Sequence, residues 1–327
     1  MVDVARCAGV SLKTVSRVVN GEPGVREETT AAVQAAIDAL AFRRNEAASN
    51  LRRGYSTSSL GLVLMDVANP FFSNLARAVE EVAFQHQFLV LSGSSDQDDE
   101  RERKLALSLC SRRVDGLVIA PSGPDQSYLQ PEIEAGTPVV FVDRPGSGVE
   151  ADAVLVENAR ATQEAVAHLA AHGHRRIAFL GDHPALYTTM ERRRGYGEGL
   201  RRLGLPQDPA LVSMGTQNLE SILAVLEKLR TAHPPATALI AGNNRVSLLV
   251  LRALAGKPWK PALVGFDDLE LADLLQPALT VIEQDSAALG RQAAELLFSR
   301  LEGDDGPPRR IVLPTRLIPR GSGERSP

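Results

Sequence analysis

The sequence predicts a short all-α head piece followed by a two-lobed α/β domain. In the first 53 residues, apolar side chains recur at helical spacing in several short segments. From residue 60 onward, apolar runs alternate with helical segments, which is typical of parallel sheets covered by helices on both faces. The polar stretch GYSTSS (54–59) separates the two patterns and is the expected domain boundary.

Length and composition limit the class of protein. A chain of 327 residues can hold two or three domains. Its two cysteines, Cys7 and Cys110, fall in different predicted domains and indicate reduced thiols rather than a disulfide framework.

The sequence contains neither an apolar run long enough for a bilayer nor a secretory signal pattern. The chain is therefore expected to be cytoplasmic, with no membrane partner. Although the net charge is −4, basic residues cluster at Lys13/Arg17 and at 43–53, which suits local contact with phosphates.

A helix-turn-helix is predicted at the start of the chain. Within 11–20, Val15, Val18 and Val19 are spaced to face one side of a helix, with Ser11 as its N-cap. Gly9 provides the turn from a short helix at 3–8. The outer face carries donors and small hydroxyls suited to base edges and phosphates, although a solvated surface helix has the same pattern.

Two more helical segments complete the predicted head piece. Residues 27–40 place Val33, Ile37 and Leu40 on one face, over the valines of the second helix. Residues 45–53 place Ala48 and Leu51 one helical turn apart.

Strands and helices alternate along the rest of the chain. Strands are predicted at 60–65, 88–93, 116–121, 138–143, 176–182, 238–243 and 262–268 and near 310–318. Helices are predicted at 71–86, 98–112, 127–135, 159–172, 188–203, 219–231, 244–255 and 286–302. About 270 residues of this pattern exceed one sheet, so we expect two lobes with a ligand at the carboxyl ends of the strands. The tail 321–327 is expected to be disordered.

Collinear motifs then identify a family. They are DVARCAGVSLKTVSRVVNG (3–21), VREETTAAVQAAIDAL (25–40), NEAASNLR (45–52), NPFF (69–72), RRVDGLVIAP (112–121), VDRP (142–145), HLAAHGHRRIAFL (168–180), RRRGY (192–196), VGFDD (264–268) and LPTRLIPRGS (313–322). Over nearly its full length the chain resembles the LacI/GalR (lactose/ribose-repressor) family of bacterial transcriptional regulators.

The resemblance implies a homodimeric, nucleoid-associated repressor that binds double-stranded operator DNA. It implies a helix-turn-helix domain (1–44), a hinge helix and linker (45–58), and a periplasmic-binding-protein-like (type I) effector domain (59–320). The lobes would be roughly 59–157 with 287–320, and 158–286. Leu12, Lys13 and Arg17 match base-reading positions, and Leu51 matches a leucine wedged into the minor groove. The implied DNA-binding residues are Leu12, Lys13, Thr14, Ser16, Arg17, Asn20, Asn45, Ala48, Leu51 and Arg52.

The resemblance also implies a small sugar-like effector between the lobes. Sugar hydroxyls both donate and accept hydrogen bonds, so carboxylates, amides, guanidinium groups and aromatic faces together suit such a ligand. The matching positions are Asn69, Phe71, Phe72, Asp143, Arg144, Arg192, Asn243, Asn244, Asp267 and Gln284. Plain core packing is the alternative for Phe71 or Phe72, and helix capping is the alternative for Asp267.

The chain departs from the family pattern in two places that concern function. Arg44 stands where a proline usually precedes the hinge, and Asn244 replaces an aspartate that usually follows Asn243. Because Asn244 removes a carboxylate, Arg144 and Arg192 face less negative charge. This favours an acidic effector, such as a sugar acid or a phosphorylated sugar.

Other functions fit less well. A solute-binding protein of a transport system shares the two-lobed fold, but it leaves residues 1–54 without a role and needs an export signal. An enzyme needs a catalytic set at the strand ends, so we predict no catalytic residue, no cofactor and no metal site. The histidines 168, 172 and 174 lack a completing carboxylate or cysteine, and the glycines 195, 197 and 199 suit close helix packing better than a phosphate loop.

Overall fold

The chain divides into two units, Met1–Thr57 and Ser58–Pro327, in the computed structural model. The structure describes residues 1–19, 22–40, 42, 57–215 and 218–327. Among these residues, no helix is both long enough and apolar enough to span a membrane.

Three helices form the described part of the first unit. They are α1 (Val2–Cys7), α2 (Leu12–Val19) and α3 (Glu27–Ala39). Val4, Val15 and Val33, one from each helix, are fully buried against one another. Gly9 has a φ of +64° in the turn between α1 and α2, a conformation that an L side chain rarely adopts. The predicted helix-turn-helix is therefore confirmed, with the spacing of the valines setting its core.

The second unit alternates strands and helices. Its strands are β1 (Ser59–Leu64), β2 (Leu89–Ser94), β3 (Gly116–Ile119), β4 (Val139–Val142), β5 (Asp152–Val156), β6 (Ile177–Leu180), β7 (Val212–Ser213), β8 (Ala238–Ala241), β9 (Ala262–Phe266), β10 (Thr280–Gln284), β11 (Arg310–Leu313) and β12 (Thr315–Ile318). Its helices are α4 (Pro70–Gln85), α5 (Asp99–Ser111), α6 (Gln130–Glu134), α7 (Asn158–Ala171), α8 (Tyr187–Arg202), α9 (Leu219–Thr231), α10 (Asn244–Leu254) and α11 (Ser286–Leu301).

Two six-stranded sheets divide this unit into two lobes. The first sheet is parallel throughout, in the order β11-β5-β4-β3-β1-β2. The second has the order β12-β10-β9-β8-β6-β7, and its strands are parallel apart from the antiparallel pair β10 and β12. Helices cover both faces of each sheet, and the two-lobed fold class is confirmed.

Three strands were not predicted from the sequence: β5, β7 and β10. β5 begins with the buried Asp152, which forms an ion pair with Arg300 at 2.7 Å. β10 ends in the polar residues Glu283 and Gln284, and β7 has only two residues. Polar strand ends shorten the apolar run on which a strand prediction depends, and here ion pairs with Arg300 and Arg316 satisfy Asp152 and Glu283.

Near its carboxyl terminus the chain passes from the first lobe to the second. α11 packs on α4 of the first lobe, and β11 joins the first sheet beside β5. Only Pro314 separates β11 from β12. β12 pairs with β10 in the second sheet, with Val281 opposite Ile318. The expectation that the first lobe includes all of 287–320 is therefore wrong for β12, because a short apolar strand carries no signal for the sheet it joins.

The tail is ordered in the structure, so the expectation that residues 321–327 are disordered is wrong. The Ser322 hydroxyl donates to the carbonyl of Leu263 at 2.6 Å and accepts from the amide of Thr280 at 2.8 Å. Glu324 accepts from the Thr280 hydroxyl at 2.9 Å. These bonds fix the tail at the amino-terminal ends of β9 and β10, which its polar composition alone did not indicate.

Candidate functional site

The outer face of α2 is the first candidate site. Ser11 caps the helix as predicted, since its Oγ accepts the backbone N–H of Thr14 at 3.1 Å. Leu12 is 50% exposed and Lys13 is also exposed, while Val15 behind them is fully buried. Thr14 and Ser16 are half-buried. The two exposed side chains are thus held on a rigid helix and face away from its core.

Arg17 turns back toward the protein. Its guanidinium donates to the carbonyl of Pro23 at 2.5 Å and lies 3.6 Å from the Glu22 carboxylate. The side chain is 37% exposed, so it borders the outer face without extending freely from it. The other predicted DNA-binding residues lie outside the described residues: Asn20, Asn45, Ala48, Leu51 and Arg52.

The second candidate site is a cavity between the two lobes, at the carboxyl ends of the strands. All ten predicted effector residues line it. Asn69, Phe71, Phe72, Asp143 and Arg144 come from the first lobe, and Arg192, Asn243, Asn244, Asp267 and Gln284 come from the second. The cavity measures about 40 Å³, far less than the roughly 300 Å³ at which ligand pockets begin. At this cavity the lobes are closed upon each other, whereas Phe71, Asp267 and Gln284 also line a wider cleft of about 700 Å³ beside it.

Two aspartates occupy equivalent places in the two lobes. Asp143 directly follows β4 and Asp267 directly follows β9, and each has a φ of +67°. Their backbone amides donate to Val154 at 3.0 Å and to Ile282 at 2.9 Å. A positive φ is uncommon for aspartate, and such conformations concentrate at functional sites. The sheets thus hold both carboxylates at the cavity.

Arg144 is buried on the wall formed by the first lobe. Its guanidinium donates to the carbonyl of Pro121 at 2.9 Å. Its Nε lies 3.3 Å from the Asp143 carboxylate, but it makes no hydrogen bond of acceptable geometry among the described residues. Burial raises the pKa of Asp143, and the charges of Arg144 and Arg192 oppose that rise.

Arg192 is fixed on three sides. Its Nε donates to Asn158 at 2.7 Å, another guanidinium N–H donates to the carbonyl of Gly242 at 2.7 Å, and the group stacks 3.6 Å from the ring centre of Phe266. Burial lowers the pKa of Arg192, whereas the charges of Asp267 and Asp143 counteract this effect. A fixed guanidinium of this kind presents a defined direction to an anionic or hydroxylated ligand.

Amides complete the cavity. Asn243 caps α10 by accepting from the amide of Val246 at 2.9 Å, and it donates to Asp182 at 2.9 Å. Gln284 donates to Asp267, while its Oε1 is buried and has no hydrogen-bond partner in the described part of the chain. Asp267 also accepts from the backbone of Asn244 at 3.3 Å, so it supports the site as well as the start of α10.

The phenylalanines have two roles. Phe71 and Phe72 meet edge to face, with ring centres 4.9 Å apart. Both belong to the core of the first lobe and also border the cavity, so the packing and the site interpretations apply together.

Several cavity residues were missed by the sequence analysis. They are Met65, Gln97, Asp182, Leu186, Thr188, Thr189 and Arg245. Asp182 lies two residues after β6, so its place at the end of a strand was a signal that the family motifs did not use. Thr188 and Thr189 carried no signal, because their burial toward the cavity depends on how α8 packs.

The motifs that were set aside have structural roles. A Cβ at Gly195 would lie 2.1 Å from the carbonyl oxygen of Ala159, and one at Gly199 would lie 3.0 Å from Val166. Close packing of α7 on α8 therefore explains these two glycines, whereas Gly197 has no neighbour nearer than 3.9 Å.

The tail changes the surroundings of the histidines. It brings the carboxylate of Glu324 to His168 at 2.5 Å, a partner that the sequence did not suggest. The buried His174 lies 2.8 Å from the carbonyl of Arg325. Within the described ranges, no group of His, Cys, Asp and Glu is arranged to hold a metal ion.

Comparison with known proteins decides the family. Residues 1–45 match the family model "Bacterial regulatory proteins, lacI family", and residues 166–323 match "Periplasmic binding protein-like domain". The HTH-type transcriptional regulator CelR of Thermobifida fusca is 33% identical, with 98% of this chain and 97% of that protein covered. The chain belongs to the LacI family. The LacI-family regulator PtxS of Pseudomonas putida is also 33% identical, over 98% of this chain and 94% of its own length.

Solved structures of LacI-family proteins share the fold. A transcriptional regulator CelR–cellobiose complex aligns with a TM-score of 0.71 and 30% identity, over 98% of each chain. The lac repressor dimer bound to operator and the anti-inducer ONPF aligns with a TM-score of 0.84 and 25% identity, again over 98% of each chain. As a member of the LacI family, the chain is a transcriptional regulator with a helix-turn-helix and a periplasmic-binding-protein-like unit.

Proposed function

We propose that this chain is a homodimeric repressor that binds operator DNA and is controlled by a small sugar-like effector held between its lobes. The observation that carries the proposal is the exposure of Leu12 and Lys13 on a helix whose valines are sealed in the core. An exposed helix face of this kind fits the major groove of B-DNA. The lac repressor structure named above contains operator, and the CelR structure contains cellobiose, so both kinds of ligand have precedents in relatives.

The proposed effector is an acidic polyol, such as a sugar acid or a phosphorylated sugar. Arg144 and Arg192 come from opposite lobes and are both buried at the cavity. Asn244 contributes no charge beside them. A carboxylate or phosphate would pair with a guanidinium group, and hydroxyls would meet the amides and carboxylates.

The proposed dimer covers two exposed apolar surfaces. On the first lobe, Phe84 is 81% exposed beside Leu89 of the edge strand β2. On the second lobe, Leu274 is 71% exposed, and Leu271, three residues before it, is also exposed. Exposed apolar residues of this size in clusters mark interaction surfaces.

The proposed role requires no turnover. The polar groups of the cavity form amide, carboxylate and guanidinium contacts that suit binding, and no catalytic residue, cofactor or metal enters the proposal. Because its target is chromosomal DNA, we place the protein in the bacterial cytoplasm, at the nucleoid.

An electrophoretic mobility shift tests DNA binding. The probes are the promoter regions of the protein's own gene and its neighbours, with scrambled DNA of equal length and composition as the control. We expect a shift that excess scrambled DNA does not compete away. Equal binding to promoter and scrambled DNA would contradict a sequence-specific regulator.

A thermal-shift panel tests the effector class. It pairs aldonic acids, uronic acids and sugar phosphates with the corresponding neutral sugars. We expect a rise in Tm with an acid, because a ligand that binds only the folded state stabilises it. Stabilisation by neutral sugars and by none of the acids would rule out the acidic class.

A further inference from the structure

Two side-chain amides join the lobes inside the closed cavity. Asn69 is the N-cap of α4 in the first lobe, and Asn244 is the first residue of α10 in the second. Asn244 Nδ2 donates to Asn69 Oδ1 at 2.6 Å, and Asn69 Nδ2 donates to Asn244 Oδ1 at 3.3 Å. We propose that this amide pair is a latch that holds the lobes closed without effector, and that an effector must displace it to bind. The role of the effector in this proposal rests on the function proposed above.

The pair is complete without a ligand. Each amide offers a donor and an acceptor, so the two side chains satisfy each other while 8% and 7% exposed. Asn69 Oδ1 also accepts the backbone N–H of Phe71 at 3.1 Å, which fixes the orientation of its amide. Buried polar groups that are mutually satisfied carry no desolvation penalty that a ligand would need to relieve.

A carboxylate at position 244 would behave differently. It could accept from Asn69 but could not donate back, and its oxygens would lie near the carboxylate of Asp267, which already contacts the Asn244 backbone at 3.3 Å. Such a side chain would need donors from a ligand before the lobes could close. Asn244 is therefore the residue that makes closure independent of the effector.

Another hydrogen bond between the lobes lies at the rim and is weaker. Arg310 of β11 donates to the hydroxyl of Tyr187 in α8 at 2.8 Å, in an exposed position. Water competes for exposed polar contacts, so this bond contributes little to closure. The buried amide pair dominates by comparison.

An effector that displaces the latch must carry particular chemical groups. The cavity of about 40 Å³ admits no sugar until the lobes separate. A hydroxyl group, which both donates and accepts, is the group that can replace each amide partner. Arg144 Nε and Gln284 Oε1, which make no hydrogen bond within the described residues, can then take an acceptor and a donor respectively from the ligand. An effector with neighbouring hydroxyls beside an acidic group meets all of these requirements.

The test measures the distance between the lobes in the full-length protein without DNA or effector. Pro124 and Ala185 are exposed and line the cleft mouth from opposite lobes. Spin labels at Pro124→Cys and Ala185→Cys, on a Cys7→Ser, Cys110→Ser background, report the distance by pulsed electron paramagnetic resonance. The background protein should show mainly the short, closed distance.

The variants are Asn244→Asp and Asn244→Ala, with Asn74→Ala on the exposed side of α4 as the control. Neither substitution at 244 removes the cap that Asn69 provides to α4. We expect the ratio of closed to open lobes to fall roughly tenfold in both variants and to be unchanged in the control. Asn244→Ala removes both hydrogen bonds, whereas Asn244→Asp removes the bond donated to Asn69 Oδ1 and places a second carboxylate near Asp267.

Two results would overturn the latch. One is a background protein that is mainly open without effector, and the other is a pair of variants that are as closed as that protein. Circular dichroism on the same samples establishes that each variant is folded. Because the distances are measured without DNA or effector, a failure of the proposed DNA-binding function would leave this result intact.

Discussion

Single side chains on the outer face of α2, the proposed DNA-binding face, differ in how freely they extend from the protein. Leu12 and Lys13 extend from α2, whereas Arg17 is held by the carbonyl of Pro23 and the carboxylate of Glu22. An arginine that is anchored on one side loses less conformational entropy when it binds a base. Its contacts with Pro23 and Glu22 thus hold Arg17 beside the exposed pair.

Arg17→Ala should weaken binding to the specific DNA site by about 1–3 kcal/mol, because a base-reading guanidinium is lost. Mobility shifts with specific and scrambled DNA measure the loss. Arg6→Ala is the control, since Arg6 lies on α1 and pairs only loosely with Asp3, at 3.6 Å. If Arg17→Ala discriminates between the two DNAs as well as the wild type does, Arg17 does not read bases.

At the scale of elements, the contact between α7 and α8 is set by glycines. α8 carries Arg192 to the cavity, so its distance from α7 also places the guanidinium that Asn158 holds. Gly195 allows the approach because its missing Cβ would meet the backbone of Ala159.

Gly195→Ala should destabilise the fold by about 1–3 kcal/mol or more, since the added methyl overlaps backbone that has nowhere to move. Gly197→Ala on the same helix is the matched control. It meets nothing closer than 3.9 Å and should be neutral or stabilising by up to about 1 kcal/mol, because alanine favours helix. Urea unfolding measures both, and equal effects of the two substitutions would refute the packing argument.

The docked tail makes a pH-dependent contribution to stability. Burial alone would raise the pKa of Glu324, but the Thr280 hydroxyl, the amide of Gly321 and His168 together lower it below its ordinary value. A lowered carboxyl pKa stabilises the folded state above the ordinary value, 4.5, and this stabilisation is lost as pH falls through the folded pKa.

Glu324→Gln should therefore lower the free energy of unfolding by about 1 kcal/mol at pH 7 and by less at pH 4. Thermal unfolding of both proteins across this range measures the difference. A gap that stays constant with pH would show that the charge of Glu324 does not secure the tail.

At the scale of the whole molecule, the proposed dimer surfaces of the two lobes would connect effector binding to DNA binding. In a dimer that buries both surfaces, any change in the angle between the lobes would also change the contacts between the subunits. Coupling of a few kcal/mol between effector and DNA would then change operator occupancy by orders of magnitude.

Phe84→Glu and Leu274→Glu should each shift the protein from dimer toward monomer, because a buried unpaired carboxylate is costly in an interface. Sedimentation velocity measures the mass. Leu203→Glu is the control, because Leu203 is also apolar and exposed but lies at the end of α8, outside both proposed surfaces. Dimers that persist in both variants would place the interface elsewhere.

The sequence by itself determined the elements whose signal is local. The valine spacing in α2, the cap at Ser11 and the turn at Gly9 depend on neighbours within a few residues, and the helices of the second unit were placed to within one or two residues apart from the short segment 127–135. The resemblance to the family supplied all ten effector positions, and all of them line one cavity.

Only the tertiary structure decided what depends on distant partners. β10 and β12 pair across 30 or more residues, the tail docks on Thr280, and Asn69 meets Asn244 across 175 positions of chain. No local pattern encodes such pairs, because the hydrogen bonds that stabilise them join residues that are far apart in the sequence. The closed cleft and its amide latch are therefore properties of the folded molecule.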